Sequence, residues 1–116
     1  MSDYDVIVIG GGSPGDHYVG ATVALKDAPK TATYTLAHAE SNGFLTLLCD
    51  GERPTGAYAL GPEAGEWLQQ ATLAIRARVP LAVLRDAIQP FPTFSEIFVD
   101  ALHALHAAVR KPVGAR

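Results

Sequence analysis

Near residue 60 the hydrophobic pattern of this chain changes period, and that change excludes most architectures. Before it, polar Thr31, Thr33 and Thr35 alternate with Ala32, Tyr34 and Leu36. Two further short runs, 44–49 and 56–60, are rich in residues that favour strands. Such alternation places successive side chains on opposite faces, as a half-buried strand requires. Ser41-Asn42-Gly43 and Asp50-Gly51-Glu52-Arg53-Pro54 separate the runs with turn-forming residues, so the three strands are expected to form an antiparallel meander. After residue 60 the period becomes about 3.6: Ala64, Trp67, Leu68, Ala71 and Ile75 fall on one helical face. Strands followed by helices, rather than strands alternating with helices, predict an α+β fold with one small antiparallel sheet.

Three helices are expected. Pro80 ends the first and opens a second over 81–88, since proline fits the first turn but not the interior. Gln89-Pro90-Phe91-Pro92 cannot be helical, because each proline excludes its predecessor from the α region. Thr93 and Glu96 have the spacing of a capping box, which starts the last helix. Phe94, Ile97, Phe98, Ala101, Leu102, Leu105 and Val109 make its apolar stripe. At the other end, Val6 to Ile9 is a β-branched run ending in glycines. It predicts a strand that can join the meander as a fourth. Residues 16–28 read as weakly helical at best, since Gly20, Thr22 and Val23 interrupt them.

A chain of 116 residues supports one modest core. With 48% hydrophobic and 18% charged residues it is globular rather than disordered. A net charge of −3 leaves no basic footprint for nucleic acid. No apolar run reaches the roughly 20 residues of a membrane span. The acidic start MSDYD lacks the basic and apolar regions of an export signal, and Cys49 has no cysteine to pair with. Both features predict a cytoplasmic protein. Cys49 reads as a small buried hydrophobe. His103 and His106 sit near Asp100, but no further ligand joins them at metal spacing, so no metal is expected.

Gly10, Gly12 and Gly15 fit G-x-G-x-x-G directly after a strand, the arrangement that brings a dinucleotide pyrophosphate to a helix N-terminus. YDVIVIGGGSPGDH, residues 4 to 17, resembles the opening of the FAD-dependent pyridine nucleotide-disulfide oxidoreductases, the family of dihydrolipoyl, glutathione and mercuric reductases. From 29 to 104 the chain resembles that family's C-terminal dimerisation domain. ESNGFLTLLCDGERPTGAYALGPEAGEWLQQATLAI follows its strand–turn–strand–helix order, and the family's middle is missing between the two pieces. The resemblance implies FAD as the family's cofactor, with Gly10, Gly12, Ser13, Pro14 and Gly15 as the cofactor-binding positions.

It also implies a homodimer. The family's terminal loop reaches the partner's flavin and disulfide and carries His-Pro-Thr-x-Ser-Glu, with histidine as acid/base and glutamate orienting it. Here the matching residues are Phe91, Pro92, Thr93, Ser95 and Glu96, assigned as interface positions. Phe91 replaces the histidine, and a phenyl ring moves no proton, so no catalytic residue is assigned although Glu96 is kept. The family's Phe91–Pro92 equivalent is typically cis, and the same is expected here. The family's C-x4-C dithiol is absent. The chain is accordingly divided into a remnant of the flavin-binding strand and turn (1–28), a dimerisation domain (29–110) and a tail (111–116).

Three functions remain open at this point. The chain is the dimerisation portion of an FAD-dependent NAD(P)H oxidoreductase, not catalytic alone. Alternatively it is an FAD-binding oxidoreductase passing hydride from NAD(P)H through flavin to an unidentified acceptor. In the third case it is an internally deleted copy without a selected function.

Overall fold

The computed structural model describes residues 4–10, 19–27, 43–90 and 93–110. Four strands form one antiparallel sheet: β1 (Tyr4–Gly10), β2 (Val19–Ala24), β3 (Phe44–Cys49) and β4 (Pro54–Pro62). Their order is β1-β4-β3-β2, so β3 and β4 are central and β1 and β2 are the edges. A row across the sheet joins Val8, Tyr58, Thr46 and Thr22. On that row the hydroxyls of Thr22 and Thr46 lie 2.6 Å apart on the face away from the helices.

The N-terminal run joins the sheet as expected, beside β4. The strand expected at 31–36 lies outside the described residues. The place next to β3 is held by β2, in a segment whose helical reading is thereby corrected. The physical reason lies in its alternation. Val19, Ala21 and Val23 pack against the core while Gly20 and Thr22 face outward, so the residues that spoil a helix there satisfy a strand. Gly43, which leads into β3, accepts the Leu25 N–H at 2.9 Å. A side chain at Gly43 would drive its Cβ into the Leu60 carbonyl oxygen, and its φ of 156° also suits glycine.

One face of the sheet carries all the helical layers among the described residues. Leu45, Leu47 and Cys49 of β3 and Ala57 and Ala59 of β4 point into the core. Helices α1 (Ala64–Trp67) and α2 (Gln69–Arg76) cover β1 and β4. Buried Ala71 and Ala74 on α2 oppose the small side chains of β4, which lets helix and sheet approach closely. The stripe read as one helix is thus kept, with a break at Leu68. Helix α3 (Leu81–Asp86) follows, and α4 (Ile97–Val109) lies across β2 and β3. Ile97, Ala101 and Leu105 are fully buried, and Phe94, Phe98 and Leu102 nearly so. Burying each such large side chain contributes roughly 1.5–3 kcal/mol, which is why α4 anchors the domain.

Two boundaries differ from the expectation. Helix α2 ends before Pro80, in a Schellman arrangement: Val79 N–H reaches Ala74 O at 2.9 Å and Arg78 N–H reaches Ile75 O at 3.2 Å. Arg78 takes the left-handed position with φ 57°. Pro80 is the cap residue of α3, with extended ψ of 147°. Helix α3 stops at Asp86, since Ala87 is extended, rather than continuing to residue 88. Among the described residues no helix is long and apolar enough to cross a membrane.

Candidate functional site

The loop between α3 and α4 is held at both ends. Near its start the side-chain amides of Gln70 on α2 and Gln89 exchange two hydrogen bonds, of 2.9 and 3.1 Å. At its end Thr93 N–H donates to the Glu96 carboxylate at 3.1 Å, and the two residues complete the capping box. The Thr93 hydroxyl donates to the Pro90 carbonyl at 2.6 Å, closing the turn. A short 3-10 turn, Phe94–Glu96, then leads into α4.

Of the five interface positions, Thr93, Ser95 and Glu96 are half-buried and adjacent, and Phe91 and Pro92 lie outside the described residues. The cis expectation for the Phe91–Pro92 bond lies outside them too. Thr93, Phe94 and Ser95 line a cleft of about 300 Å³ with Glu63, Glu66 and Trp67. Trp67 is buried, and its indole N–H donates to the Pro62 carbonyl at 2.7 Å. Glu63, which precedes α1, holds a left-handed backbone with φ 56°.

Among the described residues around this loop, apolar exposure lies outside the α4 stripe. Phe94 and Phe98 are 7% and 3% exposed, so they belong to the core and leave no greasy surface. Ile88 is instead 94% exposed, one residue before the Gln70–Gln89 pair, and Val83 and Val99 are exposed on the helices either side. Sequence reading missed Ile88 because it was counted as the last turn of a helix. The proline at 90 restricts Gln89 alone, so the sequence carried no signal that the helix ends at Asp86.

The remaining candidates separate cleanly. Cys49 is fully buried, accepts the Gly51 N–H at 3.4 Å, and burial pushes its thiol pKa up. That suits a packing residue rather than a nucleophile. His103 is exposed, and His106 faces Arg85 and Arg110, a setting that repels a cation. Gly10 ends β1, while Gly12, Ser13, Pro14 and Gly15 lie outside the described residues. The sheet neighbour of β1 is β4, and it runs antiparallel. A dinucleotide fingerprint works where its strand lies beside a parallel one reached by a crossover of about a dozen residues or more. Strands β1 and β2 are opposite edges of the sheet, with only residues 11–18 between them. The described strands do not supply the fingerprint's setting for FAD.

Residues 17–102 match the family model described as pyridine nucleotide-disulphide oxidoreductase, dimerisation domain. The match opens ahead of residue 29 and so takes in β2. A dihydrolipoyl dehydrogenase of Thermus scotoductus is 38% identical over 74 residues, covering 62% of this chain and 16% of that protein. A mercuric reductase of Shigella flexneri is 32% identical over 103 residues, covering 83% of this chain and 18% of that protein. This chain therefore spans under a fifth of these relatives' length. Among solved structures, the HOCl-induced flavoprotein disulfide reductase RclA from Escherichia coli superposes with a TM-score of 0.71 at 22% identity, over 84% of this chain and 23% of that one. LpdA from Mycobacterium tuberculosis superposes with a TM-score of 0.68 at 16% identity, over 84% and 22%. These two similarities establish the fold.

Proposed function

Because this chain belongs to the pyridine nucleotide-disulphide oxidoreductases, as a copy of their dimerisation domain, we propose that it acts by pairing with a second copy through the 88–100 segment. Ile88 carries this reading. A large aliphatic side chain 94% exposed, on a loop tied down by the Gln70–Gln89 pair, is an anchor awaiting a pocket. Val83 and Val99 extend the apolar area on either side. Thr93, Ser95 and Glu96, half-buried, form the polar remainder of the same surface. A two-fold axis through it lets each loop meet its counterpart.

Members of the family use FAD, and this module does its work without holding the flavin alone. It contributes no catalytic group of its own, since Phe91 supplies no proton and Glu96 serves as the cap of α4. The single buried thiol suits the reducing conditions of the cytoplasm. Sedimentation across a wide concentration range tests the reading. A monomer–dimer equilibrium that Ile88→Asp shifts to monomer supports it, since a carboxylate there would be desolvated on pairing. A strict monomer at high concentration overturns it. Absorbance at about 450 nm after mixing with FAD and gel filtration would reveal retained flavin and revive the oxidoreductase reading.

A further inference from the structure

A second surface lies apart from the pairing loop. Between α3, the C-terminal half of α4 and the turn joining β3 to β4 runs an open groove of about 340 Å³. Its wall is apolar: Pro80, Leu81, Ala82, Leu102 and Val109. Its rim is charged, with Arg85 from α3, His106 from α4 and Arg110 at the C-cap of α4. The turn is fastened to the start of α3 by the Leu81 N–H, which donates to the Glu52 carbonyl at 2.7 Å. None of residues 88–96 lines the groove, so occupancy of the groove is independent of pairing through the loop.

The charges converge against the trend of the molecule. The chain is net negative, yet two arginines and a histidine meet at this rim. Among the described residues neither the Arg85 nor the Arg110 guanidinium has a carboxylate or carbonyl partner. The one acidic group on the lining is Glu52, whose carboxylate lies 3.8 Å from the Arg53 guanidinium. Two positive forks therefore stand beside an apolar trough whose one carboxylate already lies against Arg53. Guanidinium forks match carboxylates in geometry, and a carboxylate on an apolar chain matches both the forks and the trough.

We propose that this groove binds a small amphipathic monocarboxylate, its apolar chain on Leu81, Leu102 and Val109 and its head group between Arg85 and Arg110. The volume lies at the small end of ligand sites, which fits a chain of medium length. His106 adds a pH dependence. Partial burial, then the charges of Arg85 and Arg110 and the neighbouring His103, hold its pKa below the usual value, which favours the neutral ring in the empty groove. A bound carboxylate offsets those charges and favours the protonated ring. Binding accordingly takes up a proton and tightens as pH falls, until the carboxylate itself is protonated.

Calorimetry and heteronuclear NMR on the full chain test this with octanoate, octyl phosphate, octan-1-ol and acetate as probes. Octanoate should bind at a single site, shifting the His106 ring and the amides of 81–86 and 102–110. Octyl phosphate should bind no tighter, while octan-1-ol and acetate, each lacking one half of the match, should bind about tenfold more weakly or worse. Arg85→Gln and Arg110→Gln, both at exposed positions, should each weaken octanoate about tenfold, and Glu52→Gln should strengthen it. Octan-1-ol binding as well as octanoate overturns the proposal, as do unchanged affinity in both arginine variants and shifts confined to other surfaces.

Discussion

Gln70 and Gln89, nineteen positions apart, form a reciprocal amide pair, each donating to the other's carbonyl oxygen at 2.9 and 3.1 Å. The pair fixes the α3–α4 loop to α2 and sets where Ile88 stands. Truncating either partner strands the other amide, half-buried, without its two bonds. Gln70→Ala or Gln89→Ala should each cost about 1–2 kcal/mol in urea denaturation. The double variant should cost clearly less than the sum of the two, which is the signature of a shared interaction. Both single variants should also weaken self-association although Ile88 is untouched.

Loss of the α4 cap provides a second test. Thr93→Ala removes the hydroxyl that bonds Pro90 and belongs to the capping box, and should destabilise by about 1 kcal/mol. Glu96→Gln keeps an acceptor for the Thr93 N–H and should cost less than Glu96→Ala. Thermal melts of the three variants give the ranking, and equal losses for Glu96→Gln and Glu96→Ala would show that the carboxamide fails as an acceptor.

Arg78 occupies the left-handed position of the Schellman turn, where glycine has no Cβ penalty. Arg78→Gly should stabilise the protein by about 1 kcal/mol. The Arg53 Nε–H bond to the Arg78 carbonyl, 3.0 Å, uses only the backbone and should survive. A destabilised variant in chemical denaturation would mean that the added freedom of the unfolded chain outweighs the relief of strain.

Asp50 gives a signed pH dependence. Its carboxylate accepts the N–H groups of Arg53 at 2.8 Å and Glu52 at 2.9 Å, and those bonds lower its pKa below the ordinary carboxylate value of about 3.9. A depressed folded-state pKa contributes stability above the unfolded value and loses it as pH falls through the folded one. Asp50→Ala should therefore lower stability near neutrality and close the gap to the parent below about pH 4. A constant gap down to about pH 2 in acid denaturation would assign the effect to something other than ionisation.

Cys49 tests the core directly. Its thiol is enclosed by β3, and burial raises its pKa, so the folded chain should resist thiol reagents at neutral pH. Labelling should proceed at the rate of unfolding and accelerate with denaturant. Fast labelling in buffer alone would show that β3 opens locally.

Local chemistry in the chain determined a large part of this structure. The glycine and aspartate turns, the capping box of Thr93 and Glu96, and the apolar stripes of α1, α2 and α4 are set by contacts within a few residues, so their spacing was readable before any packing was known. The β-branched run at Val6 announced a strand for the same reason. What packing decided was the edge of the sheet at which that strand joined, beside β4. Val19–Ala24 is too poor a helix and too short a run to declare itself; it becomes a strand because Leu45 and Leu47 on β3 and the apolar face of α4 give its alternating residues somewhere to be buried. Burial also separated Phe94 and Phe98, which their stripe already marked for the core, from Ile88, which sequence alone would tuck into a helix. Spacing cannot distinguish an apolar side chain that finds a cavity from one that does not. The groove under Arg85 and Arg110 shows the same limit, since those two arginines stand twenty-five positions apart and meet only because α3 packs beside the end of α4.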